Sequence, residues 1–262
     1  MGGGSGKRNP QGRLDHGDPW REEKEGPLNR AKETPLFLQP DGRLSQQSPQ
    51  GEFSPSRYLF DPNHPVPTIG GNISSGRPIM EPGGYDQRET AEFYGSRPPY
   101  MPLATRPDVL VFQTEPLTED LEATGPVSAQ LWISSSALDT DFTAKLLDVY
   151  PPSSDYPEGY ALNLTDGILR AKFHSSWSEP KLLEPGKVYP ITIRLYPTSN
   201  LFARGHRIRL DISSSNFPRF DVNGNTGENP ALSSVKVSAQ NSVYHDAQHP
   251  SHLILPVVPA EG

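Results

Sequence analysis

"YPITIRLYP", residues 189–197, alternates apolar and polar side chains along its whole length. A strict period of two residues is typical of a β-strand that buries one face and wets the other. The same alternation occurs in "PVSAQLWIS" (126–134) and in "HRIRLDISSS" (206–215). We therefore expect sheets with one buried and one wetted face. The apolar residues of the first stretch are Tyr189, Ile191, Ile193 and Leu195.

Further strand patterns surround these three stretches, and turn residues separate them. We predict strands in "VLVFQT" (109–114), "DFTAKLLDVYP" (141–151), "SSVKVSAQ" (233–240) and "HLILPVV" (252–258). In "YALNLTDGILRAKF" (160–173), Thr-Asp-Gly at 165–167 is interpreted as a turn between two apolar segments. About eight strands, 30 prolines, 23 glycines and no amphipathic helical pattern indicate an all-β, antiparallel sandwich or barrel.

The first hundred residues have a different composition. Residues 1–35 are polar and predict a linker or strap anchored by Trp20, followed by a hairpin whose turn is Pro-Asp-Gly at 40–42. A short strand is expected at 57–62, and a Pro- and Gly-rich segment runs from 63 to 107. Its aromatic residues favour a segment pinned across a surface: Tyr85, Phe93, Tyr94 and Tyr100.

These patterns predict three regions. Residues 1–35 form the linker or strap, residues 36–105 form the hairpin and a connecting segment that packs on the sandwich, and residues 106–262 form the sandwich itself. Only 33% of the residues are apolar. This low fraction indicates that part of the chain lies extended over a neighbour.

Charge and composition exclude several classes of function. The net charge of −7, without a long run of Lys or Arg, argues against nucleic acid as a partner. No apolar run approaches the ~20 residues of a membrane span. The chain has no cysteine, so it has neither disulfides nor thiolate chemistry. The first twenty residues lack the apolar part of a signal peptide, which favours the cytoplasm over other compartments without deciding between them.

"SSSNFPRFDVNGNTG" (213–227) has the serines, aspartate and glycines of a possible active site. A nucleophilic serine requires a base and usually the sharp turn of a G-x-S-x-G motif, which this sequence does not contain. "GGGSGK" (2–7) departs from the phosphate-loop pattern because Arg8 stands where Ser or Thr is required. We therefore predict no catalytic residue, and we interpret Ser213–Ser215 as hydroxyls at a strand end.

Metal binding has only weak support. His245, His249 and His252 have a suggestive spacing, but Pro250 prevents a regular helix through them, so a turn before the last strand explains them more simply. "DVNGNTG" (221–227) offers oxygen ligands but lacks the closing glutamate of a calcium loop, and calcium stays open. The acids near the strands are expected at solvated strand ends. We predict no cofactor and no metal.

Several long phrases carry a family resemblance in the right order. These phrases are "RPDVLVFQTEPLTEDLEATGPVSAQLWISSSALDTDFTAKLLDVYP", "LNLTDGILRAKF", "EPKLLEPGKVYPITIRLYPTSNLFARGHRIRLDISSSNFPRFDVNGNTG" and "YHDAQHPSHLILPVVP". They resemble the C-terminal, non-catalytic domain of the cocaine esterase / X-Pro dipeptidyl-peptidase group of serine hydrolases. The resemblance implies a jelly-roll (galactose-binding-like) β-sandwich that packs on an α/β-hydrolase domain and helps to shape the substrate cleft. The α/β domain and its nucleophile motif have no counterpart here, so the chain is interpreted as the C-terminal portion of such a hydrolase.

A catalytic domain is therefore the expected partner, and a homo-oligomer stays possible. We expect the loop 213–227 and "SSSALDTDF" (134–142) to lie at one end of the sandwich and to face that partner. The candidate binding residues are Asp139, Asp141, Phe142, Phe217, Arg219, Phe220, Asp221 and Asn225. In the alternative, Phe217 and Phe220 only cap the core.

Two other functions stay open. One is a stand-alone jelly-roll module that binds carbohydrate or another ligand, for which Trp132 and Tyr196 are the aromatic candidates on the polar strand faces. The other is an enzyme in its own right, which the missing nucleophile motif disfavours.

Overall fold

Antiparallel β-strands dominate the computed structural model, which describes residues 2–17, 19–74, 76, 79–229 and 232–259. Two short 3-10 helices, Leu103–Thr105 and Ala171–Phe173, interrupt them. The described strands are β1 (Lys32–Leu38), β2 (Leu44–Ser45), β3 (Ser56–Phe60), β4 (Leu110–Gln113), β5 (Leu121–Ser135), β6 (Asp141–Tyr150), β7 (Tyr160–Arg170), β8 (Tyr189–Phe202), β9 (Arg207–Ser213), β10 (Ala239–Tyr244) and β11 (His252–Val258).

The strands form two sheets. The larger sheet has seven strands in the order β2-β1-β11-β5-β10-β3, and β8 pairs with the free edge of β5. The smaller sheet has four strands in the order β4-β9-β6-β7. The pairings between these strands are antiparallel. The prediction of an all-β antiparallel sandwich is confirmed.

The alternating apolar side chains meet between the sheets. Leu131 and Ile193 of the larger sheet and Leu146 and Leu210 of the smaller sheet are fully buried in one core cluster. Each side chain of this kind stabilises the fold by about 1.5–3 kcal/mol relative to an exposed position. The period-two pattern of the sequence therefore places the core correctly.

The outer face of the smaller sheet is covered, contrary to the expectation of a wetted face. The described residues of the segment 63–107, here called the strap, contact this face, for example through the hydrogen bond between Lys145 and Gln87, and Arg209 and Asp211 on the same face are buried. Apolar residues of the strap and of the sheet edge form a second core cluster above the sheet: Val66, Ile69, Phe93, Leu103 and Val109. The polar face is dry because the strap, and not solvent, lies against it.

Three charged residues lie side by side on this covered face. Lys145 of β6 stands directly opposite Asp211 of β9 on one side and Asp166 of β7 on the other. Arg209 donates two hydrogen bonds to Asp211, at 2.6 and 2.7 Å. The ammonium group of Lys145 donates to Oε1 of Gln87 in the strap, at 2.6 Å, and burial lowers the pKa of Lys145. We call Asp211, Lys145 and Asp166 the charge row.

The N-terminal residues do not use the anchor that we predicted. Trp20 is 97% exposed, whereas Leu14 and Leu28 are buried. Leu14 packs with Tyr150 and Leu162 in a small third cluster. Leu14, which pairs with Arg8 in an isolated backbone bridge, fills this pocket between β6 and β7, whereas the indole of Trp20 stays in solvent.

The larger sheet also contains strands from before residue 106. β1 pairs with both β2 and β11, and the β1–β2 pair forms the hairpin expected around the turn at 40–42. β3 pairs with β10. The larger sheet therefore includes the expected hairpin and the short strand predicted at 57–62, although we expected the sandwich itself to begin at residue 106. Among the described residues, no helix has the length and apolar character needed to cross a membrane.

The turn predicted at 165–167 is wrong. These residues lie inside β7, which continues to Arg170 and shows one irregularity in its pairing with β6 at Leu146/Leu147. Gly167 serves a different purpose, because the backbone of β8 passes close to it. A Cβ atom at position 167 would lie 2.3 Å from the carbonyl oxygen of Arg194. The glycine permits the two sheets to approach each other at the β7–β8 edge.

Replacing this glycine tests the close approach. We expect Gly167→Ala to lower the free energy of unfolding by about 1–3 kcal/mol, because the obstructing atom belongs to backbone and cannot rotate away. Gly26→Ala is the matched control, since a Cβ there meets nothing within 4 Å, and its effect should stay within about 0.5 kcal/mol. Urea denaturation measures both. Equal stability of the two variants would show that β7 and β8 are not in contact here.

Candidate functional site

The loop that follows β9 carries most of the predicted site residues. We call residues 214–229 the β9 loop. Its first part runs parallel to the strap, because the Phe217 N–H donates to the Val66 carbonyl at 2.9 Å and the Thr68 N–H donates to the Phe217 carbonyl at 2.8 Å. The Val66 N–H also donates to the hydroxyl of Ser215 at 2.9 Å. The serine at 215 is therefore used to hold the strap in place.

Arg219 fastens the loop to the smaller sheet. Its Nη1 atom lies 2.7 Å from Oδ1 of Asp166, and both side chains are almost fully buried. The Asn216 amide donates to the other oxygen of Asp166 at 3.0 Å. The guanidinium group also lies over the rings of Phe220, at 5.3 Å, and Tyr196, at 5.6 Å. This contact completes the charge row, because it supplies the cation that Asp166 requires.

A second anchor joins the loop to the segment 134–142. Asp141 and Arg170 stand directly opposite each other on β6 and β7 and share two hydrogen bonds, at 3.0 and 3.1 Å. The Asn223 amide donates to Asp141 at 2.8 Å and to Asp139 at 3.1 Å. The backbone N–H of Lys172 donates to Asp139 at 2.9 Å. The two segments that we expected at one end of the sandwich thus lie against each other.

These carboxylates are not solvated strand ends. Asp139 is 0% and Asp141 1% exposed. Burial raises the pKa of Asp141 to about 6, although the Arg170 guanidinium and the Asn223 amide oppose that rise. Each of the two carboxylates has a cation of the same chain beside it. Arg170 pairs with Asp141, and Lys172 Nζ lies 3.6 Å from Asp139. The carboxylate oxygens are already bound to protein groups, which leaves them poorly placed to receive calcium.

Three further residues that we predicted to bind a partner lie outside these two anchors. Asn225 adopts a left-handed backbone with φ of 64°, and its amide donates to the Val237 carbonyl at 2.6 Å. Asp221 is exposed and lies 3.2 Å from Arg170. Phe142 is fully buried in the main core, so its side chain is not on a partner-facing surface.

A groove opens beside the β9 loop. It has a volume of about 600 Å³ and is bounded by Phe217 and Asp221 on the loop and by Tyr94 on the strap. The rings of Tyr94 and Phe217 lie 5.8 Å apart in a tilted arrangement, and Tyr94 is half exposed. We call it the β9-loop groove; the cations on its wall are Arg97, Arg106 and Lys236.

Arg170, Asn223 and Asp166 were missed by the sequence analysis. The sequence did contain a signal for Arg170, since an unbroken β7 paired with β6 would have placed this residue opposite Asp141. The turn that we predicted at 165–167 hid this register. Asn223 lay inside the quoted loop, but the sequence does not reveal that its amide reaches two carboxylates.

One serine hydroxyl lies against a buried imidazole. Ser56 Oγ lies 2.9 Å from Nε2 of His245, which is buried, and burial lowers the pKa of this imidazole. Within the described part of the chain, Nδ1 of His245 has no hydrogen-bond partner. A catalytic triad requires a third group at that atom to orient the base, so this pair does not form one.

The other histidines of the 245–252 region do not converge on a metal. His249 Nδ1 lies 3.1 Å from Asp246, and His252 Nδ1 donates to the Pro250 carbonyl at 2.8 Å. In residues 2–17, 19–74, 76, 79–229 and 232–259, no three His, Cys, Asp or Glu side chains are grouped so that they could hold a metal ion.

The fold and site therefore define a β-sandwich domain whose polar cluster anchors a loop. A model of the X-Pro dipeptidyl-peptidase C-terminal non-catalytic domain matches residues 5–254. The cocaine esterase of Rhodococcus sp. is 39% identical over 251 residues, which represent 92% of this chain and 40% of that protein. The chain belongs to the family of X-Pro dipeptidyl-peptidase C-terminal non-catalytic domains.

Solved structures agree with this assignment. An alpha-amino acid ester hydrolase is 31% identical and superposes with a TM-score of 0.74, over 94% of this chain and 39% of that one. An aminopeptidase from the marine sediment archaeon Thaumarchaeota archaeon is 28% identical, with a TM-score of 0.73, over 96% of this chain and 40% of that one. The chain spans about 40% of the length of these relatives.

The buried pair of Arg219 and Asp166 can be tested by a double-mutant cycle. Arg219→Met is expected to lower the free energy of unfolding by about 3–5 kcal/mol, because it leaves a buried carboxylate without its cation. Adding Asp166→Asn should recover a large part of this loss. Urea denaturation of the two single variants and the double variant gives the coupling energy.

Arg43→Met is the control for that cycle. Arg43 and Asp41 form an ion pair at 2.6 Å in which both side chains are at least half exposed. Loss of this ion pair should change the free energy of unfolding by less than about 1 kcal/mol. Additive effects of Arg219→Met and Asp166→Asn would contradict the anchoring role of the buried pair.

The contact between Ser56 and His245 yields a prediction about activity. The purified chain is expected to release no p-nitrophenol from p-nitrophenyl esters, because its imidazole lacks an orienting carboxylate. The assay is followed with and without a serine-directed fluorophosphonate. Turnover that the reagent blocks and that Ser56→Ala abolishes would show that the pair is catalytic after all.

Proposed function

We propose that this chain packs on the α/β-hydrolase catalytic domain of a serine ester or peptide hydrolase and forms one wall of its substrate cleft. The observation that carries the proposal is the match to the non-catalytic family over residues 5–254, combined with relatives about two and a half times as long. The catalytic domain supplies the nucleophilic serine and carries out acyl transfer. This chain supplies shape and polar contacts.

The β9-loop groove is the surface that meets the catalytic domain. Two buried anchors, at Arg219 and at Asn223, hold the middle of the loop. A loop fixed in this way loses little conformational entropy on binding. Its exposed side chains are then presented by a rigid support, which is what a cleft wall requires.

The composition of the groove supports an interdomain contact. Tyr94 and Phe217 offer aromatic surface, and aromatic residues are enriched in the centre of protein interfaces. Asp221 and Lys236 lie beside them and provide charges of both signs. Substrate clefts occur preferentially at such boundaries between domains.

A chimera tests the proposal. The part of the Rhodococcus cocaine esterase that matches this chain is replaced by the chain, and hydrolysis of a p-nitrophenyl ester is measured. We expect the chimera to be active, and we expect Tyr94→Ala/Phe217→Ala to lower kcat/KM at least about tenfold, since truncating two interface aromatics removes 2 kcal/mol or more.

Leu59→Ala provides the matched control, because Leu59 is exposed on β3 of the larger sheet and lies outside the groove. If the chimera does not fold, the purified chain is titrated instead with the esterase lacking its matching segment, and complex formation is followed by size-exclusion chromatography. Equal behaviour of the groove variant and Leu59→Ala in the chimera, or the absence of a complex in the titration, would refute the proposed contact.

A further inference from the structure

A second cleft lies on the outer face of the larger sheet. Its volume is about 740 Å³, and it shares no lining residue with the β9-loop groove. β5 and β8 form its floor, the hairpin around 247–252 forms one side and the segment 173–177 forms the other. We call it the tryptophan cleft. We propose that it binds an oligosaccharide whose units carry carboxylate groups.

Two indole side chains line the cleft. Trp177 is 69% exposed, so its indole is not part of a hydrophobic core. Trp132 on β5 is half buried, and its ring makes a T-shaped contact with His249 at 5.1 Å. An indole is a large apolar surface with one hydrogen-bond donor, and the C–H face of a pyranose ring matches such a surface. Ligand sites commonly combine aromatic side chains with a few polar groups in this way.

A polar row lies between the two indoles. Gln130 of β5 and Thr192 of β8 are directly paired in the sheet, and Arg194 follows two residues later on the same face. All three side chains are exposed, and none forms a hydrogen bond or an ion pair with another residue of the described ranges. They offer amide, hydroxyl and guanidinium donors to a ligand. Guanidinium is the group that binds a carboxylate with two parallel hydrogen bonds.

The charge of the lining favours an acidic ligand. Arg194 is the cation among the described lining residues, and none of them is Asp or Glu. Burial lowers the pKa of His174, so its imidazole is neutral near pH 7. The chain as a whole carries a net charge of −7. A guanidinium group with no carboxylate in the same lining favours an anion, whereas the acidic remainder of the chain repels it.

Tyr196 does not take part, although the sequence analysis named it with Trp132 as a candidate. It lies two residues beyond Arg194 on β8, but its ring stands beneath the guanidinium group of Arg219 at 5.6 Å. It belongs to the contacts of the β9 loop. Trp177 takes its place, and because Trp177 lies in an irregular segment after β7, no strand pattern pointed to it.

Glycan binding by the intact chain tests the proposal. The purified protein is applied to an array of uronic-acid oligosaccharides and neutral oligosaccharides, and affinities for the bound glycans are measured by isothermal titration calorimetry. We expect binding to uronic-acid glycans that weakens as salt is added, since an exposed ion pair is screened. Trp177→Ala should weaken binding about tenfold through lost stacking, and Arg194→Gln by a similar factor.

Trp20→Ala is the matched control, because Trp20 is the more exposed tryptophan and does not line the cleft. It should leave the affinity unchanged. Absence of binding to every glycan, or an equal effect of Trp20→Ala and Trp177→Ala, would overturn the proposal. Binding of neutral glycans that Arg194→Gln does not weaken would overturn the assignment to acidic sugars.

Discussion

Asp211, Lys145 and Asp166 lie next to one another across three strands, on a face that the rest of the chain covers. A buried charge without a partner destabilises a protein by several kcal/mol. The covering segments must therefore bring the missing partners with them. The strap brings Gln87 to Lys145, and the β9 loop brings Arg219 to Asp166. The position of both segments depends on this requirement.

The two clefts differ in how the fold supports them. The β9-loop groove lies beside the β9 loop, which is held by the buried pair of Arg219 and Asp166 and by backbone hydrogen bonds between Phe217 and the strap. The tryptophan cleft lies on the open face of the larger sheet, where strand pairing alone sets the spacing of Gln130 and Thr192. One surface is shaped by contacts between distant segments. The other follows from the register of two neighbouring strands.

Much of the fold could be predicted because alternation is a local property. Ile193 and Leu131 were placed in the core from their neighbours alone, and the structure confirms the sandwich. The errors came where glycine or tryptophan was interpreted without its surroundings. Gly167 suggested a turn, but it accommodates the backbone of β8. Trp20 suggested an anchor, but it is exposed, and Leu14 fills the available pocket.

The sequence by itself determined most of the strands, their inward faces and the family to which the chain belongs. A two-residue period and an ordered series of phrases need no knowledge of distant contacts. Only the tertiary structure decided that Arg219 meets Asp166, which lies 53 residues earlier in the chain, and that the Asn223 amide reaches both Asp139 and Asp141. Such pairs depend on strand register and on the path of the strap, and the energy that selects them arises only when both charges leave water together.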